Sequence, residues 1–118
     1  MIDQSRITQA RKSLESILRK LEASKQSILS KNRSTSYVDK QIAIMKECLV
    51  YLDLYENKET IILSSEQNME LMKSLTHLLD ELSSMKNKFN IGSSQHTLLV
   101  RRMDACHLIL EIIEPIKS

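Results

Sequence analysis

The chain is poor in the residues that break regular structure. Its 118 residues include one Gly, one Pro, one Phe and no Trp. An all-β sandwich or barrel needs a turn signal every ~8–12 residues, and this sequence has too few for that. The Gly-rich loops that cradle phosphate in nucleotide-binding folds are absent for the same reason. Two cysteines, Cys48 and Cys106, are too few and too far apart for a disulfide framework or a zinc knuckle. Both fall on apolar helical stripes and read as buried, reduced thiols. No run of ~18 uncharged apolar residues occurs; the richest stretch, Cys48 to Leu54, is interrupted by Asp53. Met1 to Lys12 lacks the apolar core of a signal peptide. The expectation is a soluble, cytoplasmic protein.

What is present is helical material for one domain, residues 1–118, with 42% hydrophobic and 27% charged residues. The first segment, about residues 3–30, places Ile7, Ala10, Leu14, Ile17, Leu21, Ser24 and Ile28 at alternating spacings of three and four, a coiled-coil seam. Asp3 is its expected N-cap. Ser36 and Asp39 have capping-box spacing ahead of a second helix, about 37–57. That helix carries Val38, Ile42, Met45, Leu49 and Leu52 on one stripe and Ile44, Cys48, Tyr51 and Tyr55 on another, so it is apolar around most of its girth.

Residues 58–63 read either as extended chain or as one more turn of helix, because Thr60, Ile61 and Ile62 are β-branched. Ser64 and Gln67 form another capping box before a third helix, about 65–89, with Leu71, Leu75, Leu78, Leu82, Met85 and Phe89 in register. The only Gly, Gly92, marks the stop after it. A fourth helix, about 95–114, aligns Leu99, Met103, Cys106, Leu110 and Ile113 and is closed by Pro115. Four such helices, ~30–40 Å long and joined by short links, predict an all-α, antiparallel up-down four-helix bundle built from two hairpins. A chain of this size buries only about two-thirds of its unfolded surface. The surplus apolar girth of the second helix and the thin seam of the first leave room for a homodimer.

Net charge is +2, unevenly spread: residues 1–33 carry net +5 and residues 53–81 net −5. This polarity suits docking of one part of the molecule, or one subunit, on another, or a basic face for nucleic acid.

Chemistry finds little support. Asp104, His107 and Glu111 share a stripe with spacings that reach one metal, but a di-iron bundle repeats Glu-x-x-His into its core, and no second copy is present. Cys106 and His107 are adjacent, so on a helix they point ~100° apart and cannot act as nucleophile and base together. No enzyme activity, metal or cofactor is expected.

The favoured reading is a non-enzymatic protein that binds another protein, as an adaptor, a chaperone-like escort or an inhibitor or immunity-type factor. Val50, Tyr51, Leu54 and Tyr55 are the candidate anchors, being aromatic residues with an aliphatic rim. Met69 and Met72 are candidates for an adaptable groove for a partner helix. The alternative is a small nucleic-acid-binding regulator. It would use the basic first helix through Arg6, Arg11, Lys12, Arg19 and Lys20, or the Gly92 turn followed by Arg101 and Arg102, which loosely matches a helix–turn–helix. No aromatic residue in the first helix is placed to stack a base. Membrane binding is not expected, because that helix lacks the broad aromatic face it requires.

Overall fold

Helix-start chemistry fixes where each rod begins. In the computed structural model, which describes residues 2–115, α1 spans Gln4–Ser30, α2 Ser36–Glu56, α3 Ser65–Lys86 and α4 Ser94–Ile113. Asp3 caps α1 by accepting from the Arg6 amide, and Ser93 caps α4 by accepting from the His96 amide. Ser64 and Gln67 form the reciprocal capping box of α3. The start of α2 departs from expectation. Ser36 is already helical, and Thr35 is the N-cap without a side-chain cap bond. Its backbone (φ −101°, ψ 8°) lies outside the extended region from which a cap hydroxyl reaches the first amides. The Thr35 hydroxyl instead donates to Asp39 at 2.8 Å.

Without glycine, two helices end on other residues. At α1, Asn32 takes a left-handed φ of 54°, the Asn32 amide bonds the Leu29 carbonyl, and the Arg33 amide bonds the Ile28 carbonyl. At α2, Lys58 takes φ 58°, with its amide on Tyr55 and the Glu59 amide on Leu54. Both are Schellman endings. α3 stops at Lys86, short of the expected Phe89, because residues 87–89 tighten into turns with the Lys88 amide on Met85 and the Phe89 amide on Lys86. Gly92, at φ 91°, then turns the chain into α4.

The link from α2 to α3 runs extended. Ile61 is partly buried, Ile62 is 86% exposed and Leu63 is buried in the core, the two-residue alternation of extended chain. All four helices form a bundle, as their apolar periods predict. Helix α4 is at its centre, packed on α1, α3 and α2, while α1 also packs on α2. Leu14, Met45, Cys48, Leu52, Leu75 and Leu108 are among the fully buried side chains. Ile7, Ala10, Leu14 and Ile17 of the α1 seam are buried; beyond them Leu21 and Ile28 are half-buried and Ser24 is exposed, so the seam thins toward the C-terminal half. Asn68, at the start of α3, donates to the carbonyl of Ile113 at 2.7 Å, giving a partner to a carbonyl that the end of α4 leaves free.

Part of the charge polarity of the sequence is neutralised within the molecule, through Arg6, Arg11 and Lys25, of which Arg11 reaches acids of residues 53–81. Arg6 bonds Asp104 at 3.0 Å and Glu111 at 2.6 Å, which clamps α1 to α4. Arg11 bonds Asp53 at 2.9 Å and Glu56 at 2.6 Å, and Lys25 bonds Asp39 at 2.7 Å; both tie α1 to α2. The candidate stripe of Asp104 and Glu111 therefore serves an arginine. Among the described residues, no three His, Cys, Asp or Glu side chains are grouped to hold a metal ion. No described helix is long and apolar enough to cross a membrane.

Candidate partner-binding groove

One edge of the bundle does not close. Helices α2 and α3 share no packed seam, and the molecule is a slab of 41 × 36 × 21 Å. The cause is in the facing residues. Where α2 presents Lys40, Ala43, Ile44 and Glu47 to α3's Gln67, Glu70, Leu71 and Ser74, the larger apolar side chains are Ile44 and Leu71. Two apolar residues flanked by charges make too short a stripe to draw the helices together. A groove of about 800 Å³ opens beside them, toward the N-terminus of α2. Its lips carry two large apolar side chains, Tyr37 at 63% and Met69 at 71% exposed. Its polar lining mixes signs, with Lys40 and Lys73 beside Glu66 and Glu70, and Lys40 lies 3.7 Å from Glu70. His77 closes one end, paired with Glu81 at 2.7 Å.

The sequence candidates separate in the structure. Met69 lies in this groove, whereas Met72, three residues on, packs against the core. Val50 is 53% exposed. Leu54 and Tyr55 are half-buried against the core, and Tyr55 lines a separate cleft with Ile2 and Ile7 near the α1 N-terminus. Tyr51 is buried and its hydroxyl donates to Glu47; burial, reinforced by that carboxylate, raises its pKa. Val50 and Leu54 continue, at helical spacing, the side of α2 that carries Ala43 and Glu47. Of the six candidates, Met69 lines the groove, and Val50, Tyr51, Leu54, Tyr55 and Met72 do not.

Tyr37 was not among the sequence candidates. It lies two helical turns before Ile44 and so extends the stripe of Ile44, Cys48, Tyr51 and Tyr55 toward the helix N-terminus. An aromatic side chain in register with that stripe, at the end of the helix and in a chain with only four aromatic residues, was the signal available.

No protein family, curated protein or solved structure matches this chain. Its surface chemistry therefore has to carry any functional reading.

Both thiols are free and buried. Burial, with a smaller effect of the neighbouring Cys106, pushes Cys48 well above the ordinary thiol range, and burial pushes Cys106 up to about 12. Neither is a thiolate at neutral pH, the form that nucleophilic or metal-binding cysteine requires. For the nucleic-acid alternative, Arg6 and Arg11 face intramolecular carboxylates and Arg102 is buried. The other basic residues of α1 named above, Lys12, Arg19 and Lys20, are exposed.

Proposed function

We propose that this protein is a non-enzymatic, cytoplasmic interaction protein that receives a helix of another polypeptide in the groove between α2 and α3. The observation that carries the reading is the open edge itself. A bundle that is packed along its other sides leaves one inter-helix groove lipped by an exposed tyrosine and an exposed methionine. Such a groove suits an amphipathic helix that presents apolar residues at i, i+3 or i+4 and i+7, with Tyr37 as anchor and Met69 as the adaptable contact.

A second copy of the chain is the first partner to consider. The groove holds two lysines and two glutamates, a mixed-sign surface that is self-complementary across a two-fold axis. The nucleic-acid alternative is weaker, because three of its arginines are engaged or buried.

Site-specific photo-crosslinking from positions 37 and 69 tests the reading, with the 91% exposed Ile91 as control. The expected result is a discrete adduct from 37 and 69 but not from 91. An adduct at twice the monomer mass identifies the homodimer, and another discrete mass identifies a different partner. Equal diffuse labelling from all three positions overturns the groove.

A further inference from the structure

A second feature lies farther along α3, toward its C-terminal end, and shares no lining residue with the groove. Arg102 of α4 is only 8% exposed. Its Nη2 donates to the Ser16 hydroxyl at 2.9 Å, and its Nε is buried with no acceptor. No carboxylate among the described residues pairs with it: Asp104 bonds Arg6, and Glu81 bonds His77. A guanidinium does not shed its proton near neutral pH. A buried cation without a counter-charge is costly, and the cost falls when an anion is brought to it.

Arg102 forms part of the wall of a cavity of about 190 Å³ between α1, α3 and α4. The other walls are mainly apolar, from Ile17, Leu21, Leu78, Leu82 and Met85. Lys20 stands at the same cavity and adds a second positive charge; the one acid there, Glu81, already has its histidine partner. The volume is below the ~300 Å³ at which drug-sized pockets begin, so the occupant is small. An inorganic anion would satisfy the cations and leave the aliphatic walls uncovered. An uncharged aliphatic molecule would do the reverse.

We propose that this cavity binds a small monocarboxylate with a short aliphatic chain, the carboxylate on Arg102 beside Lys20 and the chain against Ile17, Leu21, Leu82 and Met85. The arrangement is a small apolar pocket with one fixed charge to orient its ligand. The carboxylate brings the counter-charge that the Arg102 guanidinium lacks, and charge-assisted bonds are the stronger kind.

Sodium hexanoate is the probe, titrated into the full chain at constant ionic strength by calorimetry and by thermal unfolding. Hexanol, sodium chloride and sodium sulfate are the controls. Hexanoate is expected to bind saturably and raise Tm, while the controls at equal concentration do not. Arg102→Met keeps an unbranched stem, shorter than that of Arg, and removes the unpaired charge. It should fold with an equal or higher Tm and bind hexanoate about tenfold more weakly or worse, the loss of one charge-assisted bond. Leu21→Trp, which fills the cavity and leaves Arg102 in place, should also lose the response, and it carries the test if Arg102→Met does not fold. Hexanoate binding no better than hexanol, or binding unchanged in the folded variants, overturns the proposal. So does an inert hexanoate alongside a glutamate-bearing helical peptide whose binding requires Arg102, since the cavity would then belong to a protein partner. Crosslinking from position 69 is expected to persist in both variants, so failure here is separable from failure of the groove.

Discussion

Helix α2 meets α1 along a closed seam and meets α3 along an open one, although all three are amphipathic rods of similar length. On the closed side, Ala10, Leu14 and Ile17 of α1 and Met45, Cys48 and Leu52 of α2 are all buried in the shared core, and the seam is flanked by Arg11 with Asp53 and Glu56 and by Lys25 with Asp39. On the open side, Ile44 and Leu71 lie between charged neighbours, and one 3.7 Å ion pair spans the gap. Length of the facing apolar stripe separates the two cases: several turns of it exclude water and close, while one large apolar residue from each helix does not. The ion pairs follow that difference rather than cause it, because exposed pairs contribute at most ~1 kcal/mol each.

The largest test compares one buried leucine from each side. Leu14 is 0% and Leu71 2% exposed, so side-chain burial alone predicts equal costs. Leu14→Ala leaves a hole enclosed by three helices and should cost about 4–5 kcal/mol in denaturant unfolding; Leu71→Ala opens onto the groove, where the site can relax, and should cost about 2–3 kcal/mol. Equal losses would mean that α2 and α3 pack more tightly than their divergence indicates.

The connecting segments come next, with the opposite sign. Lys58 holds a left-handed backbone at the end of α2, on the way to the open edge, and Asn32 does the same between α1 and α2. A side chain with a Cβ is penalised there by roughly 1–2 kcal/mol, and Asn is among the residues that tolerate the conformation. Lys58→Gly should therefore stabilise by about 1 kcal/mol and Asn32→Gly by only a few tenths. Destabilisation by Lys58→Gly would show that flexibility gained by the unfolded chain outweighs the relieved strain.

The periodic parts of this architecture were legible in the sequence. Ile7, Ala10, Leu14 and Ile17 announced the α1 seam, and Ser64 with Gln67 announced the start of α3, because helical period and capping chemistry are local. The Schellman endings were not legible. Asn32 is of a type that tolerates the left-handed conformation, but nothing in its residue type marks Lys58, and the hydrogen bonds that fix both depend on where each helix stops. The open edge was hidden for a different reason. Lys40 and Glu47 flank Ile44, and Gln67 and Glu70 flank Leu71, within the sequence of each helix, but only assembly reveals that these two faces meet. Met69 could be singled out as a methionine at the edge of a stripe, whereas separating it from Met72 required knowing which way α3 faces its neighbours.

A smaller effect separates the ion pairs of the two sides. Arg11 reaches two carboxylates of α2 and is mostly buried, while Lys40 and Glu70 are largely exposed. Arg11→Met should lower stability by up to ~1 kcal/mol, and Lys40→Met by less than ~0.5 kcal/mol. A measurable loss from Lys40→Met would mean that the single pair spanning the groove helps hold α2 and α3 in place.

Acid pH probes the closed side through two of the carboxylates whose protonation the fold opposes. A hydrogen bond from Gln4, and then one from Arg11, hold Glu56 below its ordinary 4.5. Lys25, and then Thr35, hold Asp39 below its ordinary 3.8. In both cases the folded value lies below the unfolded one, so over the interval between them the unfolded chain binds more protons and stability increases with pH. Each contribution is complete above the ordinary value and is lost as pH falls through the lowered one. Unfolding midpoints measured downward from about pH 5 should therefore drop in the wild type, and the combined Glu56→Gln and Asp39→Asn variant should show a shallower decline over the same interval. The substitutions act on the seam between α1 and α2, so crosslinking from Tyr37 and Met69 at neutral pH should be unchanged in that variant. An acid profile as steep as that of the wild type would mean that the carboxylates responsible lie elsewhere, and that the charged flanks of the closed seam contribute no more to its stability than the single pair across the open one.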